Sequence, residues 1–159
     1  MNSHKYLGVF ICADGRDDID IQRQIRGIYA LGNMIINYLR HCSVEVKTML
    51  FKTYCCNMYC SNLWTKFYAK SFNNIRWAFK RVYRYFMNLK RDSSISMSMV
   101  ENRVNVFDVI VRNYICKFML RLNHCDNLIV KTLVNSLFYS GSTVYVKWCN
   151  MIYLRSLEL

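Results

Sequence analysis

Apolar residues recur at helical spacing in residues 17–39. Ile25, Ile28, Gly32 and Ile35 belong to one stripe with spacings of three and four, and this pattern predicts an amphipathic helix. Gly32 lies in the stripe although glycine costs about 1 kcal/mol relative to alanine inside a helix. We therefore expect a neighbouring helix to approach closely at Gly32.

A second helical pattern begins at Ser71, which has the side chain of a helix N-cap. Apolar residues then recur along one face as far as about Leu89: Ile75, Phe79, Val82, Tyr83 and Phe86. Arg76, Lys80 and Arg84 repeat every four residues on another face. The pattern predicts a helix with a buried face and a basic face.

Shorter patterns complete the prediction. Ser43 begins a helix that we expect to be buried on most sides, and Asp126 or Asn127 caps another that runs to about residue 139. Residues 143–157 form a last helix or a frayed segment. Residues 5–12 are rich in β-branched and aromatic side chains and end at Ala13-Asp14-Gly15, which predicts a strand followed by a turn.

The predicted fold is therefore mainly α, a helical bundle with a short N-terminal β-strand or hairpin remnant. Residues 1–14 hold the strand, residues 15–89 a helical bundle that includes the basic helix, and residues 90–159 a C-terminal helical segment. The polar, Ser-rich residues 89–99 mark the internal boundary. A lone strand at the start of the sequence predicts that the chain begins in the middle of a larger fold.

Composition narrows the class of protein. Hydrophobic residues make up 53% of the 159 residues, enough for a core, so disorder is not expected. No secretory signal or membrane-length apolar run is visible, which predicts an intracellular, reducing location. The eight cysteines are then most simply small core residues. His41-Cys42 and His124-Cys125 offer a less favoured alternative, a zinc site, but there is no C-x2-C knuckle.

Charge is concentrated in residues 64–91. This stretch holds eight of the 22 Lys and Arg residues and none of the 10 Asp and Glu residues, and aromatic residues are interleaved with the cations. Such a surface suits a phosphate backbone with stacking or sugar contacts. The candidate nucleic-acid-binding residues are Lys66, Lys70, Arg76, Trp77, Lys80, Arg81, Arg84, Lys90 and Arg91.

Catalytic patterns are missing. Asp17-Asp18 is the one adjacent pair of carboxylates, and the start of a helix accounts for both through the helix dipole. The three histidines are scattered, and no phosphate-binding loop or dinucleotide fingerprint occurs. We assign no catalytic residue and no metal ligand.

Several short motifs, in order and spacing, resemble reverse transcriptases of non-LTR (LINE-type) retrotransposons, in the region after the catalytic palm. The resemblance covers most of residues 5–137. It is carried by Lys5-Tyr6-Leu7-Gly8-Val9, Arg40-x-Cys42-Ser43, Lys47-x-x-Leu50-Phe51-x-x-Tyr54-Cys55, Leu63-Trp64, Arg91-x-x-Ser94-x-Ser96, Arg121-Leu122 and Asp126-Asn127-Leu128-Ile129.

The resemblance implies that Tyr6, Leu7 and Gly8 belong to a primer-grip-like hairpin at the edge of the palm. The helices that follow would form the thumb, which grips a template–primer duplex of RNA or RNA and DNA. The family enzyme uses Mg²⁺ at an aromatic-x-Asp-Asp hairpin that is absent from this sequence. We therefore expect a fragment that has no cofactor, is inactive alone, and has the missing palm and fingers as a partner.

Two other functions fit the same sequence. A basic, aromatic, amphipathic helix also suits an anionic membrane surface or a partner protein. The chain is alternatively a translated relic without a selected function, which would be unstable alone because a thumb without its palm exposes apolar surface.

Overall fold

The computed structural model describes residues 3–39 and 41–153. Its described part is mainly α, with eight α-helices and one two-stranded sheet, which confirms the predicted fold class. The helices are α1 (Asp18–Leu39), α2 (Val44–Leu50), α3 (Ala69–Phe86), α4 (Ile95–Glu101), α5 (Phe107–Asn123), α6 (Leu128–Val134), α7 (Leu137–Ser140) and α8 (Thr143–Tyr153).

The N-terminal segment is a hairpin, so the interpretation of residues 5–12 as one strand was wrong. Strands β1 (Ser3–Tyr6) and β2 (Val9–Cys12) pair antiparallel, with Tyr6 opposite Val9. Leu7 and Gly8 form the turn with φ values of +46° and +84°. Two positive φ values match the twist of a tight hairpin, and Gly8 adopts its value without steric cost.

Carboxylates at the start of α1 hold the neighbouring segments in place. The buried Asp20 accepts hydrogen bonds from the Phe10 N–H at 3.1 Å and from the Arg23 guanidinium at 2.7 and 3.1 Å. Asp17 accepts the Lys66 N–H at 2.8 Å, and Asp18 accepts the Tyr68 N–H at 3.0 Å. The acidic first turn therefore anchors β2 and the segment that leads into α3.

The basic helix begins and ends earlier than predicted. Helix α3 starts at Ala69 with Tyr68, not Ser71, as its N-cap, because Asp18 already fixes the Tyr68 backbone beside α1. It stops at Phe86 rather than Leu89, since Asn88 adopts a φ of +52° and the Leu89 N–H returns to the Arg84 carbonyl at 3.0 Å. A left-handed residue with this bond is a common helix stop.

The segment between α1 and α3 reverses the chain so that the two helices run in the same direction. Ser43 caps α2 as predicted. The expectation of a helix buried on most sides was wrong, because α2 is mostly exposed, with Thr48 as its buried residue, and it stops at a π-helical turn, Phe51–Cys55. Cys60, with a φ of +62°, and a 3₁₀ turn at Ser61–Leu63 follow. Asp18 and Tyr68 meet near the starts of α1 and α3, and Gly32 meets Val82 near their ends.

Two compact units divide the chain: Met1–Tyr59 with Lys66–Ile110, and Cys60–Thr65 with Val111–Leu159. The first unit continues past residue 90 to Ile110, so its bounds differ from those of the predicted segments. Phe51 is at the centre of the first unit's core, with its ring 5.1–5.8 Å from those of Phe79, Tyr83 and Phe86.

The second unit has a smaller core around Trp148. The Trp148 indole donates a hydrogen bond to the Asn62 carbonyl at 2.8 Å and packs edge-on against Phe118 at 5.5 Å. Asn127 caps α6 as predicted by accepting the Ile129 and Val130 N–H groups, but α6 ends at Val134 rather than near residue 139. Residues 143–153 form the last described helix, and the remainder of the predicted 143–157 helix lies outside the described residues.

The cysteines are all free, and Cys55 alone is fully buried. Cys116 is exposed and the other six are partly exposed, so the interpretation of the cysteines as core residues holds for Cys55 only.

Candidate nucleic-acid interface

A groove with a volume of about 750 Å³ lies between α1 and α3. Four of the predicted nucleic-acid-binding residues line it: Trp77, Lys80, Arg81 and Arg84. Helix α1 contributes Arg26 and Tyr29 to the facing wall. No carboxylate is present among the described residues that line it, so the groove combines positive charge with aromatic and amide groups.

Arg26 and Tyr29 were not among the predicted site residues. The only sequence signal was that Arg26 stands off the apolar stripe of its helix. Its partnership with the basic helix depends on α1 and α3 running side by side in the same direction, which the local sequence pattern does not specify.

Arg81 sits among tyrosine hydroxyls and rings. Its guanidinium carbon is 5.8 Å from the centroid of the Tyr85 ring. The hydroxyl of Tyr85, followed by that of Tyr29, raises the pKa of Arg81. Arg81 is exposed to solvent, so this arrangement orients a permanent cation at the mouth of the groove.

Trp77 is an exposed aromatic residue on the same wall. Its side chain is 71% exposed, whereas Trp64 and Trp148 are buried. A large ring that remains in solvent beside Lys80 and Arg81 provides a free π-face for stacking.

Arg84 supports the turn after α3. Its guanidinium donates hydrogen bonds to the carbonyls of Lys90 at 3.1 Å, Arg91 at 2.6 Å and Ser93 at 3.2 Å. These bonds use three of the five N–H donors of the guanidinium, so Arg84 adds charge to the groove while most of its hydrogen-bonding capacity is committed to the turn.

Arg76 is held away from the groove by an ion pair. Its guanidinium contacts Asp108 at 2.6 Å, donates to Asn73 at 2.8 Å, and lies over the Phe72 ring at 4.7 Å. The predicted ridge of Arg76, Lys80 and Arg84 is therefore not continuous, since Asp108 neutralises its first member.

The remaining predicted cations lie at the ends of α3. Lys66 donates from Nζ to the Asp14 carbonyl at 3.1 Å, and Lys70 is exposed in the first turn of the helix. Lys90 and Arg91 are exposed in the turn that Arg84 supports. None of these four lines the groove, so they extend its positive field rather than form its walls.

Tyr6, Leu7 and Gly8 lie at the hairpin turn, with the first two side chains exposed. The Tyr59 hydroxyl donates to the Leu7 carbonyl at 3.0 Å, which holds the turn against the segment after the π-helical turn. They do not line the α1–α3 groove.

Within residues 3–39 and 41–153, no three His, Cys, Asp or Glu residues lie close enough together to hold a metal ion. Asp17 and Asp18 each accept a backbone N–H from the segment before α3, a structural use of both carboxylates. No helix in the same ranges is long and apolar enough to span a membrane.

No protein-family model, curated protein sequence or solved structure matches this chain.

Proposed function

We propose that this chain binds nucleic acid through the α1–α3 groove, as a thumb-like fragment of a non-LTR retrotransposon reverse transcriptase that does not polymerise alone. The observation that carries the proposal is the groove itself, in which Arg26, Lys80 and Arg81 converge from two helices with no opposing carboxylate among the described lining residues. Polyanions are the ligands that such a surface favours.

Phosphates are the natural targets because the cations of the groove are exposed or partly exposed to solvent. Arg26 and Arg81 are exposed, and Lys80 is partly exposed. Contacts of this kind position a nucleic acid without reading its sequence. The sequence lacks the aromatic-x-Asp-Asp hairpin that binds metal in the resembled enzymes, which supports a role in holding nucleic acid rather than in catalysis.

The test is the salt dependence of binding to a fluorescently labelled RNA–DNA hybrid, with fluorescence anisotropy as the measure of binding. Engagement of three phosphates predicts that log affinity falls with log salt with a slope of about −3. Hybrids of different sequence should bind within a few fold of one another. A slope near zero, or strong dependence on sequence, would contradict a phosphate-led interface.

A second candidate function, attachment to an anionic membrane surface, is favoured by exposed apolar side chains in α6 and α7. Leu137 and Phe138 are 89% and 90% exposed, and Leu128 and Ile129 are also largely exposed. Apolar side chains on a protein with a net charge of +12 suit a surface that offers both hydrocarbon and negative charge.

Flotation with phosphatidylserine vesicles separates this candidate from the first. Membrane attachment predicts that the wild-type chain floats with the vesicles and that the Leu137→Ser, Phe138→Ser variant stays in the soluble fraction. The variant should bind the RNA–DNA hybrid as the wild-type chain does. If the wild-type chain fails to float at low salt, the second candidate is wrong.

A further inference from the structure

A second hollow continues the groove along α1 and α3. It has a volume of about 530 Å³, and its lining includes Asn33, His41, Lys47, Tyr85 and Asn88. No Asp or Glu occurs among the described residues that line it. The second hollow therefore combines Lys47 and polar side chains with four apolar ones, Ile35, Ile36, Leu39 and Phe86.

The two hollows lie on the same side of the helix pair. Along α1 the lining residues progress from Ile25 through Tyr29 to Asn33 and Ile36, at spacings of four, four and three. Residues at these spacings share one helix face.

Helix α3 repeats this arrangement on the opposite wall. Its lining residues progress from Asn74 through Trp77 and Arg81 to Tyr85, and Asn88 follows in the turn after the helix. Because α1 and α3 run in the same direction, the hollows follow one another along the helix pair and define one track, roughly 17 Å long from Ile25 to Ile36 at 1.5 Å per residue.

Two largely exposed aromatic residues stand along this track. Trp77 is 71% exposed and Tyr85 is 58% exposed, and they are separated by about 12 Å along the helix. Arg81 lies between them, over the Tyr85 ring. The α3 wall therefore alternates ring, cation and ring.

We propose that this track holds a single strand of nucleic acid, with unpaired bases stacked on Trp77 and Tyr85 and phosphates beside Lys80 and Arg81. The proposal rests on the nucleic-acid function proposed above and specifies the kind of strand. Bases in a duplex already stack on their neighbours, so free protein rings add affinity only where bases are unstacked.

Tryptophan fluorescence tests this proposal, because Trp77 is the tryptophan exposed to solvent while Trp64 and Trp148 are buried. A short oligothymidylate should quench the emission of the wild-type chain as it binds. A stem-closed duplex with the same number of phosphates should bind with little quenching.

Variants at Trp77 and a matched surface position complete the experiment. Trp77→Ala should weaken oligothymidylate binding about 5- to 150-fold, the range expected for loss of one base–aromatic stack, while Trp77→Phe retains most of the affinity. Tyr38→Ala removes another exposed ring, 83% exposed on α1, which does not line the track. This control should bind as the wild-type chain does.

The outcomes separate this proposal from the function on which it rests. Salt-dependent binding of the duplex with neither quenching by the single strand nor loss in Trp77→Ala would overturn the single-strand proposal alone. Absence of binding to either nucleic acid would overturn both. Circular dichroism of each variant establishes that any loss occurs in a folded protein.

Discussion

Gly32 is a point of close contact between α1 and α3. A methyl group at this position would overlap the Cγ1 atom of Val82. Valine is restricted at χ1 in a helix, so its side chain has little freedom to move away. The glycine therefore sets the separation of the two helices that form the walls of the track.

Gly32→Ala should destabilise the protein by about 1–2 kcal/mol, because an overpacking cost of about 1–3 kcal/mol outweighs a helix-propensity gain of up to about 1 kcal/mol. Urea unfolding monitored by circular dichroism measures the change. Addition of Val82→Ala should make the double variant more stable than the sum of the single effects predicts. An alanine variant as stable as the wild-type chain would show that the helices do not touch here.

Cys55 and Cys116 should differ in reactivity. Burial raises the pKa of the Cys55 thiol to about 12, so the reactive thiolate is scarce at neutral pH and increases only as the pH approaches that value. Cys116 is exposed. Brief iodoacetamide treatment at pH 8, followed by mass spectrometry, should label Cys116 and spare Cys55 until denaturant is added. Equal labelling in the native protein would contradict the buried position of Cys55.

At the scale of elements, α3 has two separate functions. One face packs Phe79, Val82 and Phe86 into the core, and the other presents Trp77 and Arg81 to the groove. The π-helical turn at Phe51–Cys55 supports the first function, because it places the Phe51 ring against α3.

Phe51→Ala should lower the free energy of unfolding by about 3–5 kcal/mol, the cost expected for removing a buried aromatic side chain. Tyr54→Ala, in the same turn but with an exposed side chain, provides the matched control and should change stability by about 0.5 kcal/mol or less. Denaturant titration of both variants compares them directly. Similar losses in the two would mean that Phe51 is not central to the core.

The sequence was most informative where one local pattern determined an element. The stripe of α1, the cap at Ser43 and the close approach at Gly32 all follow from side chains within one or two helical turns. A hairpin was one of the two N-terminal alternatives, but the position of its turn at Leu7–Gly8 and the stop of α2 were not predicted. Their positions depend on positive φ values and on a non-local crossover, neither of which has a hydrophobic period.

The candidate site shows the same limit. Trp77, Lys80 and Arg81 were predicted from α3, and the structure places them together on one wall. The pairing of Arg76 with Asp108 and the use of Arg84 in a turn depend on residues distant in sequence or after the helix end. Arg26 joined the site only through the packing of α1 beside α3.

At the scale of the whole molecule, the net charge of +12 will attract any polyanion at low salt. The position of the charge, rather than its amount, therefore distinguishes a binding site from nonspecific electrostatic attraction. We expect binding to depend on three cations in the groove, Arg26, Lys80 and Arg81, and to depend little on exposed cations elsewhere.

The most direct test compares two triple variants that lose the same charge. One replaces Arg26, Lys80 and Arg81 with Gln, and the other replaces the exposed Lys52, Arg103 and Arg121 with Gln. We predict that the groove variant loses most of its affinity for nucleic acid in anisotropy measured near about 0.15 M salt. Its salt slope, measured over a series of salt concentrations, should become shallower by about 2 to 3. The control should remain close to wild type. Equal losses in both variants would contradict the assignment of binding to the groove.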